Sequence, residues 1–304
     1  MAVTVLKTLA TQRQAARACK LKALSMLAAR RGQRTYATPQ TFSDLLHLYG
    51  ERTFRKVFRM SLGTFRGITT TLVERGGLGY KTSARGRKKR HAPEVAVAAA
   101  LRFLFGASYA ESVLLLRCKS VTTVYRNLEV VCRAVVKAYA LPNPFSTVQL
   151  DRTASTFATK RGAHHFPSIA GAIDGLLLRV IAPARDAKKF FSRKGYHAMN
   201  MIAVADGEAR ITYYSCQCSG STHDALAMRV SSLQQALDAG WLPRTFAMLG
   251  DDAFSGNSDQ VLCPYSGAVQ PQTASDTYNF YQSSLRMAVE RCFGIFVGRF
   301  GLFW

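Results

Sequence analysis

An all-α first half followed by an α/β second half is the fold class this sequence predicts, on three observations. Apolar residues recur at helical spacing as far as about residue 138. From residue 168 the texture changes to short runs rich in Ile, Val, Leu and Tyr, the mark of strands. Charge divides near the same place: residues 1–145 hold 26 of the 41 Lys and Arg but only 6 of the 18 Asp and Glu. The first half therefore carries +20 of a formal +23. Such a surplus favours a polyanionic partner, because each neutralised phosphate releases counterions. A solvated basic surface and ribosome-like packing on RNA are the other readings of it. With 304 residues and 48% hydrophobic content, the chain can form one large domain or two ordinary ones around a sizeable core.

The first 43 residues contain no acid and carry Lys7, Arg13, Arg17, Lys20, Lys22, Arg30, Arg31 and Arg34. That composition fits a disordered basic arm lying on DNA, or an organellar transit segment. The run Arg85-Gly86-Arg87-Lys88-Lys89-Arg90 is a competing address, a nuclear localisation signal or a phosphate-binding patch. Of the two compartments the nucleus is favoured. Seven cysteines without a CxxC pair argue against a zinc site and for reduced thiols. No apolar run reaches the length of a membrane span.

Phe54, Val57, Phe58, Met60, Phe65 and Ile68 predict helix within 44–75, closed by Gly76, Gly77 and Gly79. Pro93 opens a second helix over 94–105, and Gly106 stops it. Tyr109 to Leu116 make a short helix, and Ser120 is placed to cap a third from Val121 to about Ala138. Helix, glycine turn, short helix, capped helix is the outline of a helix-turn-helix; three helices of an ordinary bundle share it. In the first reading Thr122, Thr123, Arg126 and Asn127 face a DNA major groove. Pro142 and Pro144 mark a boundary, and 145–167 is a polar stretch carrying a solvated His164-His165 pair.

In the second half, 169–174 and 176–182 form one extended element around Asp174-Gly175. Met199 to Ala205 and Ile211 to Gln217 are strands joined by the Asp206-Gly207 turn. Residues 224–238 are helical, Phe246 to Leu249 is a short buried strand, and 280–297 is a helix with Leu285, Val289, Phe293 and Phe296 on one side. Four acids stand in distinctive contexts: Asp174 after an apolar run, Asp224 opening a helix, Asp251 after the fourth strand, and Glu290 in the last helix. Carboxylates gathered from strand ends and a helix are how proteins hold Mg²⁺ against phosphate oxygens. Asp224 has a second reading as a helix N-cap. Strand, strand, strand, helix, strand, helix, with acids on the first strand, after the fourth and in the last helix, is the order of an RNase H-like fold. That fold is a mixed sheet with flanking helices. Mutual repulsion among its acids predicts at least one raised carboxyl pKa when no metal is bound. Arg286, four residues before Glu290, predicts an intrahelical ion pair.

These residues resemble the DDE transposases of the PIF/Harbinger superfamily, including the domesticated Harbinger-derived nucleases. The matching texts are Gly171-Ala172-Ile173-Asp174-Gly175, Ser192 to Asn200, Ser219-Gly220-Ser221-Thr222-His223-Asp224, Leu249-Gly250-Asp251 and Val289-Glu290-Arg291-Cys292-Phe293-Gly294, in that order. The likeness implies a DDE superfamily endonuclease, a cut-and-paste enzyme that hydrolyses phosphodiester bonds and joins 3′-OH ends to target DNA. Its catalytic triad would be Asp174, Asp251 and Glu290, holding two Mg²⁺ or Mn²⁺ ions. The second aspartate is ambiguous; the Asp251-to-Glu290 interval favours Asp251 and leaves Asp224 as a further metal ligand. Arg193 and Lys194, with Arg87, Lys88, Lys89 and Arg90, would hold DNA phosphates. A second DNA-binding partner protein and a homo-oligomer are also implied. Domains are expected at 1–43 (basic arm), 44–145 (helix-turn-helix-like, DNA-binding) and 146–304 (RNase H-like nuclease, truncated at its end). Leu176-Leu177-Leu178 stands where relatives carry Thr-His, and Val297 where lysine is common. These departures and the apolar end Gly301-Leu302-Phe303-Trp304 motivate an alternative, a catalytically inactive transposase-derived DNA-binding protein. An RNase H-like RNA nuclease is a third reading, disfavoured because the A-form major groove cannot be read by a helix.

Overall fold

Among the described residues, five strands form a single mixed sheet in the order β3-β2-β1-β4-β5. The computed structural model describes residues 42–79, 92–111, 121–267 and 269–303. The expected basic arm up to residue 41, the Arg87–Arg90 run, the Ser120 cap and most of the 109–116 helix lie outside the described residues. β1 (Ser168–Arg179) pairs antiparallel with β2 (Ala198–Ala205), and β2 with β3 (Ile211–Ser219). β4 (Phe246–Leu249) runs parallel to β1, and β5 (Val261–Leu262) parallel to β4. The β2–β3 turn forms where expected: Asp206 accepts from the backbone N–H of Glu208 and Arg210 and pairs with the Arg210 guanidinium at 2.7 Å.

Preceding the sheet are α1 (Phe42–Phe58), broken at Gly50, then α2 (Leu62–Glu74), α3 (Pro93–Leu104), α4 (Val121–Ala138) and α5 (Thr147–Ala158). α3 and α4 fall on the expected helices, with Pro93 at the first turn. Phe54, Phe58, Phe65, Leu72, Val95, Val97, Val124 and Val131 close a core of their own among α1–α4. α5 corrects the reading of 145–167 as a plain polar stretch. Only Leu150, Thr153 and Phe157 are buried on it, a stripe one residue wide at i, i+3 and i+7, too thin to stand out in a polar sequence.

Helices cover both faces of the sheet. α8 (Ala274–Arg299) lays Leu285, Ala288, Val289, Cys292 and Phe293 against Ala172, Met201, Ala203 and Leu249. On the other face α6 (Asp224–Arg229) and α7 (Ser232–Asp238) pack Ala227, Met228, Leu233 and Leu237 against Ile173, Ile202, Val204 and Met248. The single helix expected over 224–238 is therefore two. Ser231 is extended and its hydroxyl caps α7 by accepting from Gln234, which ends α6. The register of β1 against β4 shifts between Ile169 and Gly171. Beyond that shift, strand alternation points Ala172 at α8 and Ile173 at α6 and α7. The same alternation sends Asp174 toward α8.

One side chain ties the helical half to the end of α8. Arg59, with φ of +51°, donates to the carbonyls of Gly298 (2.7 Å) and Arg299 and lies over the Phe105 ring at 5.5 Å. A guanidinium on the last carbonyls of a helix satisfies free acceptors and complements the negative end of its dipole. Phe105 in turn meets Phe300, ring centroids 5.8 Å apart.

Candidate active site

Asp174 sits mid-way along β1 with its side chain 19% exposed. One carboxylate oxygen accepts from the Gly175 N–H at 2.7 Å, and the other faces the Arg286 guanidinium of α8 at 3.5 Å. Burial pushes its pKa up to about 6. The Gly175 N–H and Arg286 oppose that rise, while the nearby charges of Asp251 and Asp224 add to it. A raised carboxyl pKa was expected, but with repulsion as the cause; desolvation is the larger effect here.

Asp224 is the first residue of α6, and the cap position belongs to His223, which makes no side-chain cap bond. The N-cap reading of Asp224 is thereby corrected. Its carboxylate instead turns to the sheet, where buried Asn200 of β2 donates from Nδ2 at 2.7 Å. Asn200 Nδ2 also reaches the Thr222 carbonyl, which fixes the amide and leaves its Oδ1 buried without a partner. Arg193 approaches Asp224 at 3.8 Å from the β1–β2 connection. Gly175 makes this approach geometrically possible: a Cβ there would lie 2.4 Å from Asp224 Oδ1. Gly175→Ala is therefore expected to destabilise the protein by about 1–3 kcal/mol through overpacking. Urea unfolding measures this, and an unchanged midpoint would show that Asp224 can move aside freely.

Asp251 follows β4 and accepts from the Ala253 N–H at 3.0 Å, capping the 3-10 turn 252–254. Its pKa is raised, first by burial, against the pull of that N–H and of Arg286, and further by the charges of Asp224 and Asp252. Glu290 lies on α8, 46% exposed, bound by Arg286 at 2.6 Å as its i,i+4 position predicts. Arg286 thus spans Asp174 and Glu290. Gln282, buried one turn before it, donates to the carbonyls of Gly250 (2.6 Å) and Leu262 (2.9 Å) and holds α8 against the strand end that leads into Asp251.

Three aspartates from β1, α6 and the end of β4 thus feel one another's charge, and Glu290 joins them through Arg286. Among the described residues, no group of three His, Cys, Asp or Glu side chains is close enough to hold one metal ion. The donor chemistry nevertheless suits a hard divalent cation: only carboxylate oxygens, with the partnerless Asn200 Oδ1 beside Asp224.

The order and spacing of these acids on a mixed sheet coincide with a family match over residues 173–303, to the DDE superfamily endonucleases. Residues 173–303 are a DDE superfamily endonuclease domain. The chain is similar to the protein named "Putative nuclease HARBI1" from Bos taurus and from Homo sapiens, 25% identical over 140 residues in each case. Those alignments cover 46% of this chain and 39% of each relative. The Rattus norvegicus protein of the same name is 28% identical over 93 residues, 31% of this chain and 26% of its own length. The matched stretch thus spans well under half of these curated relatives. No solved structure matches the chain.

Next to the DDE domain's acids, Arg193 and Lys194 are exposed, and Arg193 reaches Asp224. The α4 candidates divide: Thr122 and Arg126 are exposed, while Thr123 and Asn127 are half-buried and Asn127 Nδ2 is enclosed without a partner. Successive helical residues lie about 100° apart, so the four fall within about 140° of arc, with Thr122 and Arg126 at its exposed edge and Thr123 and Asn127 at its half-buried edge. Asn200, Gln282 and Arg286 are the site-shaping residues that sequence reasoning did not place as such. Asn200 ends a motif singled out for its resemblance, and Arg286 was noted only for Glu290. No helix among the described residues is long and apolar enough to cross a membrane.

Proposed function

We propose that this chain is a divalent-metal-dependent DNA endonuclease of the transposase type, able to cut phosphodiester bonds and to join 3′-OH ends to target DNA. The observation that carries this reading is the meeting of Asp174, Asp224 and Asp251 from three separate elements inside a DDE superfamily endonuclease domain. The strand order supports an RNase H-like assignment for 146–304, and the basic helices of 44–145 act as a helix-turn-helix-like DNA-binding domain behind a basic arm at 1–43. Asp174 and Asp251, with Glu290 as third member and Asp224 beside them, hold two Mg²⁺ or Mn²⁺ ions. Bound there, such ions lower the pKa of water and neutralise charge that develops on phosphate. The chain's own groups do the rest. Asn200 keeps Asp224 turned to the sheet, and Gln282 fixes α8 and with it Glu290. Arg286 pairs with both Asp174 and Glu290 and orients them toward each other. Arg193 and Lys194 bind DNA phosphates, joined by Arg87, Lys88, Lys89 and Arg90, while Thr122, Thr123, Arg126 and Asn127 of the helical half face the major groove. A homo-oligomer, a second DNA-binding partner protein and a nuclear location complete the proposal.

The ion pairs of Arg286 with Asp174 and Glu290 favour a second reading, a silent DNA-binding descendant in which a guanidinium stands in for the metal. Nicking of supercoiled plasmid with Mg²⁺ or Mn²⁺, beside a metal-free control and a single-stranded RNA substrate, separates the readings. Nicking that needs metal and prefers DNA supports the nuclease. DNA binding without nicking supports the silent protein, and cleavage of RNA in preference to DNA overturns both.

A further inference from the structure

A second basic feature lies on α8, on a different stripe of the helix from Arg286 and Glu290. Ser284, Met287 and Arg291 recur at three- and four-residue spacing and share one stripe of the helix. They form one wall of an open cleft of about 350 Å³, and Lys160 and Arg161, in the turn after α5, form the other. None of these three cations makes an ion pair among the described residues. Asp206, in the turn beside Gly207, is already held by Arg210. The walls are brought together by backbone fit. Gly162, at φ of +83°, lets the turn close on α8 where a Cβ would lie 2.1 Å from the Tyr281 ring. Nearby, the His165 and Tyr281 rings meet at a tilt of 34° with centroids 5.0 Å apart. The Lys160 stem lies against Gly207, whose N–H donates to Thr156 at 2.8 Å.

Three uncompensated cations and a hydroxyl in an open, shallow cleft match a convex phosphate backbone better than an enclosed small ligand. Two are arginines, whose planar forks suit phosphate oxygens. We propose that Lys160, Arg161 and Arg291 bind backbone phosphodiesters of duplex DNA at a surface separate from the carboxylate site; this rests on the reading of the chain as a DNA-acting protein. The contact positions the duplex and carries no sequence preference.

The test is the salt dependence of duplex binding by the full chain, without divalent metal so that no cleavage intervenes. Wild type is compared with Lys160→Gln/Arg161→Gln/Arg291→Gln and with a charge-matched control, Arg185→Gln/Arg229→Gln/Arg244→Gln, at exposed positions elsewhere. Three lost phosphate contacts should flatten the slope of log K against log salt by about 2.7. Affinity at low salt should fall at least tenfold, and the control should keep the wild-type slope. Should the triple variant unfold in a thermal melt, Arg161→Gln/Arg291→Gln is read in its place, with a slope change of about 1.8. An unchanged slope, or an equal loss in the control, overturns the cleft while the DNA reading stands. Saturable binding of inorganic phosphate by wild type alone, with equal duplex affinity in all proteins, reassigns the cleft to a free anion and overturns it too. Failure of the wild type to bind duplex at all overturns the underlying DNA reading itself.

Discussion

Asp174→Ala is expected to abolish metal-dependent plasmid nicking while leaving DNA binding intact, and Glu290→Ala to do the same. Asp174 interacts with three charged neighbours: Arg286 contacts it, and the charges of Asp224 and Asp251 both act on it. Removing one preorganised group that stabilises transition-state charge commonly costs on the order of 10²–10³-fold in rate. Loss of a metal ligand should do at least that. Binding should hold or tighten slightly, because a negative charge near the phosphates has been removed. Fold is not at stake to the same degree. Asp174 donates nothing and accepts only from the neighbouring Gly175 N–H and Arg286, and Arg286 keeps Glu290 as a partner. Nicking rates and duplex affinity measured on the same preparations decide the matter. Unchanged nicking in either variant would reject the assignment of these acids.

Asp174→Asn is expected to stabilise the metal-free protein near neutral pH. The folded pKa of about 6 lies above the ordinary carboxyl value of 3.8, so folding favours the protonated form. The stabilising contribution of the neutral carboxyl is fully present below the ordinary value and is lost as pH rises through about 6. A shift of this size corresponds to a penalty on the order of 2–3 kcal/mol once the group is charged. The amide carries no such penalty, so variant and wild type should agree near pH 4 and diverge by pH 7. Urea midpoints across that range measure the difference. Asp251 shifts in the same direction and leaves part of the pH dependence in place. Divalent metal added near neutral pH should raise the wild-type midpoint and leave that of Asp174→Asn nearly unchanged, since the ion removes the same penalty. Equal midpoints for the two proteins at all pH values would show that Asp174 ionises without cost and that burial does not govern it.

Much of this molecule was legible from local pattern. Alternation and β-branched runs marked β1 to β4, and the recurrence of Leu285, Val289 and Phe293 at every fourth residue marked the buried side of α8, because strand and helix periods are imposed by geometry within a few residues. The four acids stood out by their neighbours in sequence. Other elements left no local trace. β5 is two residues long and exists only because β4 offers it an edge. The break between α6 and α7 rests on a single buried serine that caps the second helix.

What the sequence determined by itself is the division into a basic helical half and a sheet-bearing half, and the prominence of four candidate acids by their context. Only the tertiary structure decided how those acids are held. Asp174 meets Arg286 across 112 positions, Asn200 meets Asp224 across 24, and Gln282 meets Gly250 across 32. No periodicity encodes such pairs. They depend on which face of β1 looks toward α8, and on how closely α6 can approach a glycine. Charge, burial and pKa at the site follow from those packings, so the physical state of Asp174 could be read only once the elements had closed around it.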